Sequence, residues 1–118
     1  CGFNALTTSS RGGTLYIPAG TYRITQTLKY TDVGTFSQSQ IIGEDPAKVI
    51  VKWGGTNAGA MAEFTGFKYS KIGRISWDGA GVAETIIHHN TTTNTWGSDT
   101  VHFDEVFKDA RFGLRIGV

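Results

Sequence analysis

Few side chains in this sequence have the chemistry and spacing to act on a ligand. His102 and Asp104 stand two apart in the apolar run Thr100–Phe107, and residues two apart in an extended strand share a face. With Val101 and Phe103 turned inward, imidazole and carboxylate would lie side by side on the outer face. Such a pair suits acid–base work or the binding of a sugar hydroxyl, and these two are the catalytic candidates. The plainer reading is that both are solvated residues of a strand's polar face. Arg115, between Leu114 and Ile116, would also face outward. There its planar fork could counter a carboxylate or join a surface ion pair. Trp96 sits in the polar stretch Asn90–Asp99 with nothing obvious to bury it, which makes it a candidate stacking platform for a ligand.

Other conspicuous residues read as structural. His88 and His89 are adjacent, so in a strand they point to opposite faces and cannot share a metal ion; the inner one is expected to be satisfied by the backbone. Asp78 and Asp109 close corresponding turns, where aspartate commonly bonds its own backbone. Trp53 and Trp77 fall in apolar runs and read as core. Gly54-Gly55 is not followed by Gly-Lys-Ser/Thr, so it is no phosphate loop. A single cysteine, Cys1, excludes an internal disulfide and a cysteine-rich zinc site, and no metal set is expected.

The elements that must position these residues follow from composition. The 118 residues are 39% hydrophobic and 18% charged, enough for one modest core and too polar for a membrane span. Eleven basic residues against ten acidic ones, scattered rather than striped, argue against nucleic acid. Ile and Val total seventeen against four Leu, and sixteen Thr raise the β-branched count further. That bias favours a pleated backbone. Alternation places strands at Thr14–Ile17, Tyr22–Ile24, Thr27–Tyr30, Gln40–Ile42, Lys48–Trp53, Ala60–Phe64, Lys71–Trp77, Glu84–His89, Thr100–Phe107 and Phe112–Ile116. Only the first dozen residues could hold a helix. The connections lack the Asn-Gly and Asp-Gly pairs of two-residue hairpins, which disfavours an antiparallel meander.

Weak internal repeats decide between a sandwich and a solenoid. Ile72–Asp78 lies on Phe103–Asp109 at an offset of 31 residues, with a shared apolar-x-x-apolar frame and a closing aspartate. A second track runs through Ala62-Glu63-Phe64, Ile86-Ile87-His88 and Leu114-Arg115-Ile116, at offsets of 24 and 28. Such periods suit one solenoid coil each, and the polar stretch around Trp96 would loop out of a coil. This alignment predicts Ile72, Ile75, Trp77, Val101, Phe103 and Val106 as the inward set.

The segment Gly12-Gly13-Thr14-Leu15-Tyr16-Ile17-Pro18-Ala19-Gly20-Thr21-Tyr22-Arg23-Ile24 resembles the opening signature of the pectate-lyase-like superfamily of right-handed parallel β-helices. Looser similarity continues through Ile41–Asp45, Val49–Val51, Ile72–Gly79 and Phe112–Gly117. The resemblance implies an all-β fold: a truncated right-handed parallel β-helix in one partial domain, with residues 1–12 a cap remnant and 13–118 about four coils. The first residue is Cys rather than Met and the sequence stops inside an alternating run, so it reads as a piece of a longer chain. The lack of a signal peptide therefore says nothing about export.

In function, the resemblance implies a secreted or cell-surface protein acting on polysaccharide, by β-elimination or by hydrolysis. Fold alone does not choose. The family's Asn-Thr-Asp, Asp-Asp and Gly-His-Gly motifs are absent from this sequence. Its calcium-binding aspartate cluster and arginine base are not recognisable, so calcium, possible in the family, has no motif here. No catalytic residue carries over. The alternative is a non-catalytic member, a tailspike-like surface β-helix that binds glycans or serves as a stiff stalk. An oligosaccharide or polysaccharide is the expected partner under either reading.

Overall fold

The computed structural model describes residues 13–31, 38–90 and 99–117. They form twelve short strands: β1 (Thr14–Ile17), β2 (Gly20–Ile24), β3 (Leu28–Thr31), β4 (Gln40–Gly43), β5 (Val49–Trp53), β6 (Ala60–Thr65), β7 (Lys71–Gly73), β8 (Ser76–Asp78), β9 (Thr85–Asn90), β10 (Val101–Phe103), β11 (Val106–Lys108) and β12 (Phe112–Ile116). No helix occurs among the described residues, and so none is long and apolar enough to cross a membrane. The segment expected to cap the fold, residues 1–12, and the stretch bearing Trp96 lie outside the described residues.

Each strand pairs with the strand three further along the chain, and every pairing is parallel. Three four-stranded sheets result: β1-β4-β7-β10, β2-β5-β8-β11 and β3-β6-β9-β12. The chain therefore winds as an all-β parallel solenoid of about three turns, with four stacked rungs of three strands. Parallel neighbours need a crossover, and here each crossover consists of the other two strands of the rung.

In-register stacking puts like side chains over like. Leu15, Ile41 and Ile72 follow one another up the first sheet, Val51 and Trp77 up the second, and Tyr30, Phe64 and His89 up the third. These tracks meet in one core, in which Ile41, Ile72, Ile75, Phe64 and Phe67 have no exposed surface. Burying each such side chain contributes about 1.5–3 kcal/mol, so the solenoid is held by these tracks as much as by its ladders. The Tyr30 and Phe64 rings stand 5.9 Å apart and Phe64 and His89 5.3 Å, an aromatic column through three rungs.

Two runs expected as single strands are each bent into two. Arg74 (φ 61°) divides Lys71–Trp77, and Asp104 (φ 47°) divides Thr100–Phe107. A left-handed residue reverses the local pleat and turns the chain from the first sheet into the second.

The repeat is also one residue shorter than the sequence alignment suggests. His102, not Phe103, lies on Ile72, an offset of 30 rather than 31. In the third sheet Ala62 pairs with Ile87 and Ile87 with Leu114, so the middle rung shifts by one there as well. A slip of one residue exchanges the faces of a strand. The inward set is corrected accordingly. Ile72, Ile75 and Trp77 are buried as expected, but Val101 stacks on exposed Lys71 and Val106 on Ser76, and both valines are 48% exposed. Phe103 stacks over Gly73, outside the core.

Candidate functional site

The third sheet carries a charged outer track. Because Leu28, Ala62 and Ile87 and then Tyr30, Phe64 and His89 point into the core, the residues between them point out. They are Lys29, Glu63, His88 and Arg115, stacked in register through all four rungs. Neighbouring rungs lie about 4.8 Å apart, so the four side chains form a continuous line. Cations occupy both ends and a carboxylate and an imidazole the middle. His88 Nε2–H donates to the Gly117 carbonyl at 2.6 Å, and His88 Nδ1 stands 3.7 Å from Glu63 Oε2. When His88 holds both hydrogens it forms an ion pair with Glu63. Lys29 and Arg115 are exposed at the two ends.

Lys29 also borders a cavity of about 690 Å³ between two stacked turns. Its walls include Thr25, Gln26, Thr56 and Asn57, and the Trp53 indole forms part of its lining. That indole is fixed by an N–H donated to the Asn57 carbonyl at 3.2 Å. Hydroxyl, amide and ammonium groups, with no carboxylate among the described lining residues, suit a neutral or acidic polyol rather than a cation.

No protein-family model, curated protein or solved structure matches this chain. Its chemistry is accordingly read from the geometry.

Arg115 faces outward as the sequence suggests, and the structure adds the partners that the shifted register had hidden: Lys29, Glu63 and His88. The pairing of His102 with Asp104 does not form. Strand register turns His102 onto the inward track of Leu15, Ile41 and Ile72, while Asp104 occupies the exposed left-handed corner. The corner cancels the two-residue alternation on which the pairing rested. Trp96 lies outside the described residues. Asp78 takes the turn role, its Oδ1 accepting the Ala80 N–H at 2.8 Å.

His102 instead joins an interior chain of polar groups. Its Nδ1–H donates to Glu105 Oε1 at 2.6 Å, its Nε2 meets His89 Nε2 at 2.7 Å, and Trp77 Nε1–H donates to Glu105 Oε2 at 2.9 Å. Inner His89 is thus satisfied by His102 and not by the backbone, whereas outer His88 has the backbone partner. The reason is again register, which brings β10 over the core beside β9. Burial, followed by the nearby His102 and His88, lowers His89 to about 4. Among the described residues no group of three His, Cys, Asp or Glu side chains could hold a metal ion, so no donor set for calcium is found there.

Proposed function

We propose that this chain is part of an exported polysaccharide-acting protein of the pectate-lyase-like kind, secreted or held at the cell surface, and that an acidic polysaccharide lies along Lys29–Glu63–His88–Arg115. The right-handed winding of that family accords with the general preference of parallel crossovers. One observation carries the reading: an unbroken, in-register outer track with a cation at each end. A linear polymer can follow such a track from rung to rung. Carboxylates of a uronate chain would pair with Lys29 and with the Arg115 fork, and the cavity beside Lys29 would take sugar units beyond the end of the track. The Gly12–Ile24 signature supports the same family independently of the site.

Within this reading the track favours binding over bond cleavage. His88 Nε2–H is committed to the Gly117 carbonyl and its other nitrogen faces Glu63, so the ring has no nitrogen directed at a substrate. The glycan-binding alternative therefore gains weight over a lyase or hydrolase centred on these residues.

Calorimetry with uronate and neutral oligosaccharides of equal length tests the proposal. Arg115→Ala and Lys29→Ala should each weaken uronate binding about tenfold, the worth of one exposed charge-assisted contact, and leave neutral oligosaccharides unaffected. Trp96→Ala completes the series, as the aromatic candidate. Unchanged uronate affinity in both charge variants would refute the track.

A further inference from the structure

The first three rungs fill the inner track of the first sheet with Leu15, Ile41 and Ile72, and the corner that follows the third strand of that sheet with Ile75. In the fourth rung His102 takes the track position. Glu105 takes the corner position, directly before Val106, as Ile75 directly precedes Ser76, its side chain only 4% exposed. The chain thus has an apolar solution for both places and abandons it in one rung. Replacing a buried ionic pair by well-packed apolar residues is often neutral or stabilising, so stability alone does not call for the polar pair. What it adds is dependence on protons.

We propose that Glu105, His102 and His89 form an acid-released latch that holds the fourth rung on the third. Trp77 of β8 anchors Glu105 from below, and His89 of β9 grips His102 from the side. The titratable groups bearing on the N···N contact are His88 and His89 of β9, His102 of β10 and Glu105 at the corner. Two contacts in the chain need one hydrogen each, one between His102 Nδ1 and Glu105 and one between the facing Nε2 atoms. With His102 neutral its Nε2 accepts from His89 Nε2–H, and with His102 doubly protonated beside Glu105 its Nε2–H donates to His89 Nε2. When both rings carry a hydrogen on Nε2, two N–H groups face each other across 2.7 Å and the latch must open. Phe64 and Phe67 stack on His89 and hold its ring in place against that contact.

The sign of the pH effect follows. Burial holds His89 down at about 4 when folded, against its ordinary value of 6.5 when unfolded. The unfolded chain therefore takes up the proton first, and the folded form loses ground as pH falls from 6.5 toward 4. Between pH 7 and pH 4 this one group lowers the folded-to-unfolded ratio on the order of a hundredfold.

The test compares the chain with the His89→Phe/His102→Ile/Glu105→Ile variant, which removes the three titrating groups of the latch, continues the aromatic column and writes the third rung's apolar solution into the fourth. Urea unfolding at pH 7 and pH 4 should show a folded-to-unfolded ratio that falls on the order of tenfold or more further in the parent than in the variant. An equal fall in both would overturn the latch. NMR of the unsubstituted chain gives a second reading. The His89 ring should titrate near 4, with β10–β12 amides losing protection in the same range before those of β4–β6. Titration of His89 near 6.5 with β10–β12 intact would also overturn it.

Discussion

Gly43 tests the stacking geometry most directly. A Cβ placed on Gly43 would lie 2.0 Å from the Arg74 carbonyl oxygen, 2.9 Å from the Arg74 carbonyl carbon and 3.1 Å from Ile75 Cγ1. The neighbours are mainly backbone of the next rung, so no side-chain rotation relieves the clash. Restoring ordinary contact requires the third rung to lift by roughly 1.4 Å at this corner, which stretches ladder hydrogen bonds of about 2.9 Å well past their useful range. Two or three β4–β7 bonds at about 1 kcal/mol each, with some loss of packing around Ile75, put the cost of Gly43→Ala at about 3 kcal/mol. Gly59 provides the contrast, because a Cβ there meets nothing within 4 Å. Gly59→Ala should be neutral or stabilise by up to about 1 kcal/mol through the unfolded chain's lost entropy. Urea unfolding of both variants measures the difference, with an unchanged slope showing that the same surface is exposed. A Gly43→Ala midpoint equal to that of Gly59→Ala would refute the argument that backbone approach sets the rung spacing here.

Three further outcomes are expected. Trp77→Phe should cost about 1–3 kcal/mol by leaving Glu105 Oε2 without its donor, and the loss should shrink in a Glu105→Ile background, as a double-mutant unfolding cycle would show. His89→Phe should flatten the dependence of stability on pH between 6.5 and 4, removing at most about 3 kcal/mol of acid destabilisation after solvent screening, measured by urea unfolding across that range. Asp104→Gly should leave uronate binding unchanged, since the residue lies at a corner and off the outer track, and raise the melting temperature slightly by relieving the φ of 47°.

The fold was legible because β-branched residues and short alternating runs leave few alternatives, and Phe112–Ile116 and Thr14–Ile17 form strands over the expected residues. The faces were less legible. Ile72 aligns equally well by residue type with His102's neighbour Phe103, and hydrophobicity alone prefers to place a phenylalanine inside. The true register sets a histidine over an isoleucine, which only the Asp104 and Arg74 corners reveal, and a left-handed corner at a non-glycine residue has no strong sequence signature. Arg115 was legible as an outward cation because isolated charge between two apolar residues fixes its face. Glu63, flanked by Ala62 and Phe64, carried the same signal, and an offset of 25 instead of 24 would have stacked it beneath His88.

The pairing of each strand only with those three before and three after it also gives the molecule a mechanical grain. All the extensive contacts between strands join adjacent rungs, and none joins two strands of the same rung. Force applied across the stack loads many hydrogen bonds together, whereas a pull on one end of the chain loads the bonds of one rung at a time. Stretched from its ends, such a chain yields in discrete events, and a rung of about 30 residues releases roughly 100 Å of slack at each. The solenoid is accordingly stiff against bending loads yet peels stepwise under tension, a property set by its one-dimensional order and independent of any ligand.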